Sequence, residues 1–453
     1  MRFGIKNLGP IKDANIEIGD LTIICGKNNC GKTYLSYTLF SLVDTIGANV
    51  GLELSKEQLD TFTTKGKIEI DLRSLLPQYI EKLNRTLPAF VGRLPFFLAK
   101  NTDSVENTIC ECLFSEQEYN DNLLLSSLHD EPFSVTENCD IICNKKINSS
   151  IVSFILSSKS EQLPDKEVIQ RRLCLWLSWI LNCVFPDIFV ITCERTGASL
   201  FRNEMIISRE MSKEEKKNNR YVTKVSRLRQ KQEFLGYPFP IKKDLEFAIH
   251  YYEESLSNSF LTQCDEGRKI LTAFNDIVGG DFSVTEENIV KFSPTQSDVK
   301  LRLMESSSSI RALSELCFYL RHKATPGQIL MIDEPELSLH PENQRKLARI
   351  FAMLVNIGIK VFITTHSDYI IREFNTLLML SKNTERTAKL AERFGYSKDE
   401  LLNVNSTKCY VLKEDGLTEQ MNVSQKFGID VTSFDDTIDE VNHIQQTILY
   451  GAE

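Results

Sequence analysis

The chain has 453 residues, 42% hydrophobic and 25% charged, a composition that supports a large core and leaves room for two or three domains. Sixty-two acidic residues against 53 basic ones give a net charge of −9, which excludes binding to nucleic acid or membrane through overall charge; any such binding has to be local. Met1-Arg2-Phe3-Gly4-Ile5 lacks the charged-then-apolar layout of a secretion signal, and no apolar run approaches the ~20 residues needed to span a bilayer, so a cytoplasmic protein with no membrane partner is expected.

Residues 1–25 alternate short β-type runs with turns. Phe3 and Ile5 precede Gly9-Pro10, Ala14, Ile16 and Ile18 follow, and Leu21-Thr22-Ile23-Ile24-Cys25 reads as a buried strand. Gly26-Lys27-Asn28-Asn29-Cys30-Gly31-Lys32-Thr33 comes next, then a helical stretch through Leu35, Leu39, Leu42 and Val43. From about 50 to 185 the pattern is helical and irregular and carries no chemical motif. Its cysteine pairs, Cys110/Cys112 and Cys139/Cys143, lack the two-residue spacing of zinc knuckles and read as buried or incidental thiols. The twelve cysteines of the chain are expected to be reduced.

A strand over Ile188–Cys193 ends in Glu194-Arg195-Thr196-Gly197. Arg209 to Lys231 is densely charged, nine basic residues against three acidic, and lacks the interleaved aromatics of a single-strand binder apart from Tyr221. It reads as a solvated excursion, with an effector, an infection trigger or nucleic acid as candidate ligands. Helical patterning runs from Lys242 to Ile277 and breaks at Gly279-Gly280. Two strands, around Ile289–Phe292 and Val299–Met304, lead into Ser306-Ser307-Ser308-Ser309 and a helix to Leu320. Then follow a strand over Ile329–Ile332 ending in Asp333-Glu334, a helix over roughly Glu342–Val355, and a strand over Val361–Thr364 ending in Thr365-His366-Ser367.

Three of these segments carry chemistry. Gly26–Thr33 fits G-x-x-x-x-G-K-[ST] between a strand and a helix, where backbone N–H groups curl around phosphates. Gly26, Asn28, Asn29 and Gly31 belong to that loop, Lys32 reaches the β and γ phosphates, and the Thr33 hydroxyl holds Mg²⁺. A buried strand ending in two acids delivers Asp333 to the same metal and places Glu334 to orient or deprotonate an attacking water. His366 ends another buried strand, at the sheet edge where parallel strands present ligands. Alone it reads as an ordinary structural histidine; in this order it reads as the switch that senses the γ-phosphate.

Gly26–Thr33, the serine run 306–309, Asp333-Glu334-Pro335-Glu336, Leu339-His340-Pro341 and Thr365-His366-Ser367 resemble, in this order, ABC-type ATPases of the RecF, SMC and OLD kind. The closely similar parts are the first 45 residues and roughly 280–375. The resemblance implies an α/β fold: an ABC-type P-loop core, a mixed sheet with flanking helices, interrupted by an inserted mostly helical lobe. It implies ATP and Mg²⁺, and a head-to-tail dimer in which Ser307 and Ser308 contact the nucleotide of the partner. The family's signature glycine is absent here. It also aligns Glu194-Arg195 with a loop that approaches the nucleotide, which makes Arg195 a candidate contact.

A finer resemblance is to the ATPase subunits of bacterial anti-phage systems, such as PtuA of Septu and retron loci and AriA of PARIS. It rests on Asn28–Thr33, Cys193-Glu194-Arg195, the serine signature and a tail with Gly428–Val431 and Ser433-Phe434-Asp435, and it implies a separate nuclease or toxin effector. The alternative is a DNA-repair or chromosome-associated ATPase acting directly on DNA; no sustained heptad repeat is present for an SMC-like coiled coil. The expected division is 1–50 and 279–380 for the two parts of the ATPase core, 51–187 for the lobe, 188–278 for the strand, charged excursion and helical segment, and 381–453 for a tail of helix and strand.

Overall fold

The computed structural model describes residues 1–46, 50–100, 105–113, 128–158, 164–182, 185–202, 204–206, 236–382, 384–430 and 442–449. The basic stretch Arg209 to Lys231 and the tail residues Val431, Ser433, Phe434 and Asp435 lie outside them. Among the described residues no helix is long and apolar enough to cross a membrane.

Two compact units are present. The first comprises Met1–Ile5, Leu42–Arg93 and Thr108–Asp187, the second Lys6–Ser41, Leu94–Asn107 and Ile188–Glu453. The chain enters on strand β1 (Arg2–Leu8), turns at Gly9-Pro10 into β2 (Ile11–Glu17), and continues into β3 (Leu21–Cys25), all five residues of which are buried. Helix α1 (Lys32–Thr45) starts inside the glycine loop.

The first unit carries α2 (Lys56–Lys65), β4 (Lys67–Asp71), α3 (Leu72–Leu98), β5 (Ile109–Leu113), β6 (Leu128–Thr136), β7 (Cys139–Lys145), β8 (Ile151–Ser158) and α4 (Lys166–Asn182). More of it is helix than strand, and it also has a four-stranded antiparallel sheet of order β4-β8-β7-β6 that the helical reading of this region omits. The register hides this sheet from inspection. In β7 the inward side chains are Cys139, Ile141, Cys143 and Lys145, so the alternation is carried by cysteines and a lysine as much as by aliphatic residues.

The second unit holds the chemistry. Its six-stranded sheet has the order β16-β15-β3-β14-β13-β9, with β9 (Ile188–Ile191), β13 (Ile329–Asp333), β14 (Lys360–Thr365), β15 (Thr407–Leu412) and β16 (Thr418–Gln420). β9, β13, β14, β3 and β15 are parallel and β16 closes the edge antiparallel. Central strands covered on both faces need unbroken apolar runs, which is why Ile329–Ile332 and Leu21–Cys25 read as continuous hydrophobic stretches. Helix α5 (Phe239–Ile249), α6 (Asp265–Val278), α7 (Ser308–Phe318), α8 (Pro341–Asn356) and α9 (Asp368–Leu380) contribute Phe247, Ile270, Leu316, Phe351 and Phe374 to one core with Ile23, Leu330 and Ile363. α6 ends at Gly279 with φ 69°, the left-handed cap that stops the helix where the sequence pattern breaks. The next strands, β10 (Gly280–Val284), β11 (Val290–Pro294) and β12 (Leu301–Arg302), form a small antiparallel sheet.

Candidate active site

Strand register brings the chemical segments level. β14 lies between β3 and β13, with Thr365 opposite Cys25 and Thr364 opposite Asp333. The loops leaving the three strands therefore emerge side by side, and they are the glycine loop, Glu334–His340 and His366-Ser367. All three run out at the carboxyl ends of parallel strands, where open α/β sheets bind ligands.

The glycine loop needs backbone that side chains disfavour. Gly26 has φ 146° and Gly31 φ 105°; a Cβ on Gly26 would lie 2.5 Å from the Leu412 carbonyl, and one on Gly31 2.8 Å from the Pro10 ring. Asn29 takes φ 63°, which asparagine tolerates better than most residues. Lys32 is buried, and its Nζ donates to the carbonyls of Gly26 at 2.9 Å and Lys27 at 2.8 Å, folding the ammonium over the loop it would share with phosphates.

Thr33 Oγ1 donates to Asp333 Oδ2 at 3.3 Å, and Thr364 Oγ1 donates to Asp333 Oδ1. Burial pushes the Asp333 carboxyl above its ordinary range; the Thr364 and Cys193 hydrogen bonds oppose this, while the neighbouring Glu334 and Glu194 carboxylates add to it. A cation there would relieve both the burial and the crowding. A hydroxyl and a carboxylate are the hard oxygen donors Mg²⁺ prefers, so Thr33 and Asp333 fit that ion. Glu194 accepts from Tyr37 Oη at 3.0 Å and from Cys193 Sγ at 3.2 Å, which keeps its charge near Asp333.

Glu334 stands in the left-handed region, φ 50°, just past the strand. Its N–H donates to the Thr364 carbonyl at 3.0 Å, and its carboxylate lies 3.3 Å from His366 Nε2. The His366 hydrogen bond holds the Glu334 carboxyl below its usual range against partial burial, with the His366, Lys32 and Arg195 charges acting in the same direction. Glu336 fixes the loop from beneath: its Oε1 accepts from the His366 N–H at 2.6 Å and from Thr365 Oγ1 at 2.9 Å. Thr364 and Tyr37 belong to the site although no motif announces their contacts; the sequence signal is their position at a strand end or one turn beyond the glycine loop, whereas Glu336 lies within Asp333-Glu334-Pro335-Glu336.

Ser307 caps α7, accepting from the Ile310 N–H at 3.4 Å, and its Oγ lies 2.9 Å from Ser309 Oγ. Ser307 and Ser308 are both exposed. Two serines thus stand exposed at the N-terminus of α7, an arrangement suited to an anion supplied from outside.

Arg195 is the candidate contact on the loop after β9. It is 1% exposed, and four of its N–H groups are engaged by main-chain carbonyls: Nε by Ala312 at 3.1 Å, Nη1 by Thr192 at 2.9 Å and Asp333 at 2.8 Å, and Nη2 by Glu334 at 2.6 Å. A guanidinium committed in this way supports the Asp333-Glu334 turn from behind.

Three solved structures illustrate what the fold is similar to. An Smc head bound to the C-winged helix domain of ScpA is 12% identical over 93% of this chain and 97% of its own, with a TM-score of 0.37. An Smc head domain with an extended coiled coil, bound to the C-terminal domain of ScpA derived from Pyrococcus furiosus, is 11% identical over 98% of each chain, TM-score 0.34. The SMC head domain from Thermotoga maritima is 10% identical over 93% of this chain and 98% of its own, TM-score 0.33. No curated protein matches the chain. The family model of the AAA ATPase domain matches residues 1–173 and 206–371, well over half the sequence. This chain, with its glycine loop, strand-end acids and α/β sheet, belongs to the AAA ATPase domain family.

Proposed function

We propose that the chain binds and hydrolyses ATP with Mg²⁺, works as a head-to-tail dimer closed around nucleotide, and controls a separate nuclease or toxin effector in anti-phage defence. The observation that carries the ATPase part is the pairing of Thr33 with Asp333 and of His366 with Glu334, each at 3.3 Å, beside one glycine loop.

In this reading the amides of Gly26 to Thr33, with Asn28 and Asn29 on the loop, cradle the phosphates. Lys32 exchanges its loop carbonyls for β and γ oxygens. Thr33 and Asp333 would hold Mg²⁺, which when bound neutralises charge on the β and γ phosphates. Glu334, kept ionised by His366, orients water in line with the γ-phosphorus and takes its proton as the new O–P bond forms and the bond to the β–γ bridging oxygen breaks. His366 reports the γ-phosphate to Glu334 through the contact between them. Ser307 and Ser308, exposed at the start of α7, supply the partner's γ-phosphate with hydroxyls and helix amides.

The effector and the defence role rest on the resemblance to PtuA and AriA. They are tested by plating phage on cells carrying the native locus with wild-type or Lys32→Ala chain. Protection by the wild type alone is expected; equal plating on both contradicts the role. Purified wild-type protein should release phosphate from ATP and the Lys32→Ala protein should not.

A further inference from the structure

Arg195 joins more than one turn. It opens the helix that starts at residue 195, and its guanidinium touches the end of β9 through Thr192, the end of β13 through Asp333, Glu334 itself, and α7 through Ala312. One turn further on, Ser199 Oγ lies 3.2 Å from Ser314 Oγ and donates to the Arg311 carbonyl at 3.4 Å, so the same helix face is fastened twice more to α7.

A buried cation of this kind needs a buried counter-charge. Asp244 on α5 and Glu315 on α7 are each 1% exposed. Asp244 Oδ2 accepts from the Thr192 N–H at 2.9 Å and from Thr192 Oγ1. Asp244 Oδ1 and both Glu315 oxygens have no donor when both acids are written ionised. Burial pushes both carboxyls up, and each faces the other while the Arg195 charge pulls them back down. A proton held between the two carboxyls lets one donate to the other and leaves one negative charge to balance one guanidinium.

We propose that Arg195, balanced by the Asp244–Glu315 pair, is a positioning residue that couples the serine-bearing helix α7 to Glu334. A displacement of α7 by nucleotide on the partner reaches the Glu334 main chain through one rigid planar group. The fork matters because a lysine ammonium in its place cannot meet carbonyls on four sides in one plane. This inference rests on the proposed role of Glu334.

The test compares steady-state hydrolysis and binding of a fluorescent ATP analogue in Arg195→Lys, Glu315→Gln and Asp244→Asn/Glu315→Gln, with rates normalised to nucleotide-binding sites so that misfolded protein does not count. For Arg195→Lys, kcat should fall on the order of 100-fold, the effect of misplacing a reacting group by about 1 Å, with KM and analogue affinity within about twofold of wild type. Glu315→Gln preserves one negative charge and offers Asp244 an amide donor, so kcat should stay within about threefold. The double variant removes the counter-charge and should fall to the Arg195→Lys level. Wild-type kcat in Arg195→Lys or in the double variant, or a loss of kcat matched by an equal loss of nucleotide affinity, overturns the proposal. Glu334→Gln separates the two claims: if it turns over at the wild-type rate, the role of Glu334 fails and the coupling with it, whereas an inactive Glu334→Gln beside a fully active Arg195→Lys condemns the coupling alone.

Discussion

Thr33 Oγ1 donates to Asp333 Oδ2 across 3.3 Å although the two residues are 300 positions apart. The contact joins the last residue of the glycine loop to the end of the central strand β13, and it is made at a carboxyl that burial has pushed upward. An acid whose folded pKa is raised carries stability that is complete below its unfolded pKa and lost as pH rises through the folded one. The buried Asp333 carboxyl therefore costs stability as pH rises. Asp333→Asn should melt at a higher temperature than wild type without nucleotide, yet lose the stabilisation that Mg·ATP gives and nearly all hydrolysis. Thermal scans with and without Mg·ATP check both halves.

Lys32→Ala removes the ammonium folded into the loop through two carbonyls. Charge-assisted hydrogen bonds contribute about 1.5–3 kcal/mol each, so a loss of at least ~10-fold in ATP affinity is expected. Titration with a fluorescent ATP analogue measures it, and wild-type affinity would end the glycine-loop assignment.

The Glu334 carboxyl lies below its ordinary range chiefly because of His366. A depressed acid contributes stability above its unfolded pKa and loses it as pH falls through the folded one, and its catalytic carboxylate persists over the same range. Replacing His366 with Ala should move the acid limb of the kcat profile upward, toward the value of an unperturbed glutamate near 4.3. A profile recorded in both proteins from about pH 3 to 7 shows the shift; an unmoved limb would separate His366 from Glu334.

The residues that announced themselves did so because strand burial and phosphate chemistry both act on short stretches. Ile329–Ile332 must be apolar to sit between β14 and β9, so the two acids after it stand out, and Gly26 and Gly31 mark backbone that close approach demands. Arg195 stood out only through the resemblance of its loop, and its actual partners are carbonyls 3 to 139 positions away that leave no trace in composition. Glu315 was equally silent, a single acid on the apolar face of α7 whose counterpart is on α5. Helix α3 carries Pro77, Pro88 and Pro95 within a helix that a proline reading would break. Leu76, Tyr79, Leu83, Leu87 and Phe90 at three- and four-residue spacing bury one face and outweigh them.

A shared site makes a further demand on mixed subunits. Lys32→Ala spoils the glycine-loop side of a site and Ser308→Arg the serine side, so in a heterodimer of the two both defects fall on one interface and the other is intact. At most about half the wild-type hydrolysis per dimer is expected, where either variant alone gives almost none. Inactivity of a proven heterodimer would mean that the sites are not shared or that they fire only together.

The most direct test of the whole account is the mass of Glu334→Gln in solution, by sedimentation, with and without Mg·ATP. The amide keeps the size of the side chain but cannot take the proton from water, so ATP should bind and remain. The protein should sediment at twice the monomer mass with Mg·ATP, and return to one with Lys32→Ala or Ser308→Arg added. An unchanged mass on saturation with Mg·ATP would contradict a nucleotide site completed by a second copy of the chain.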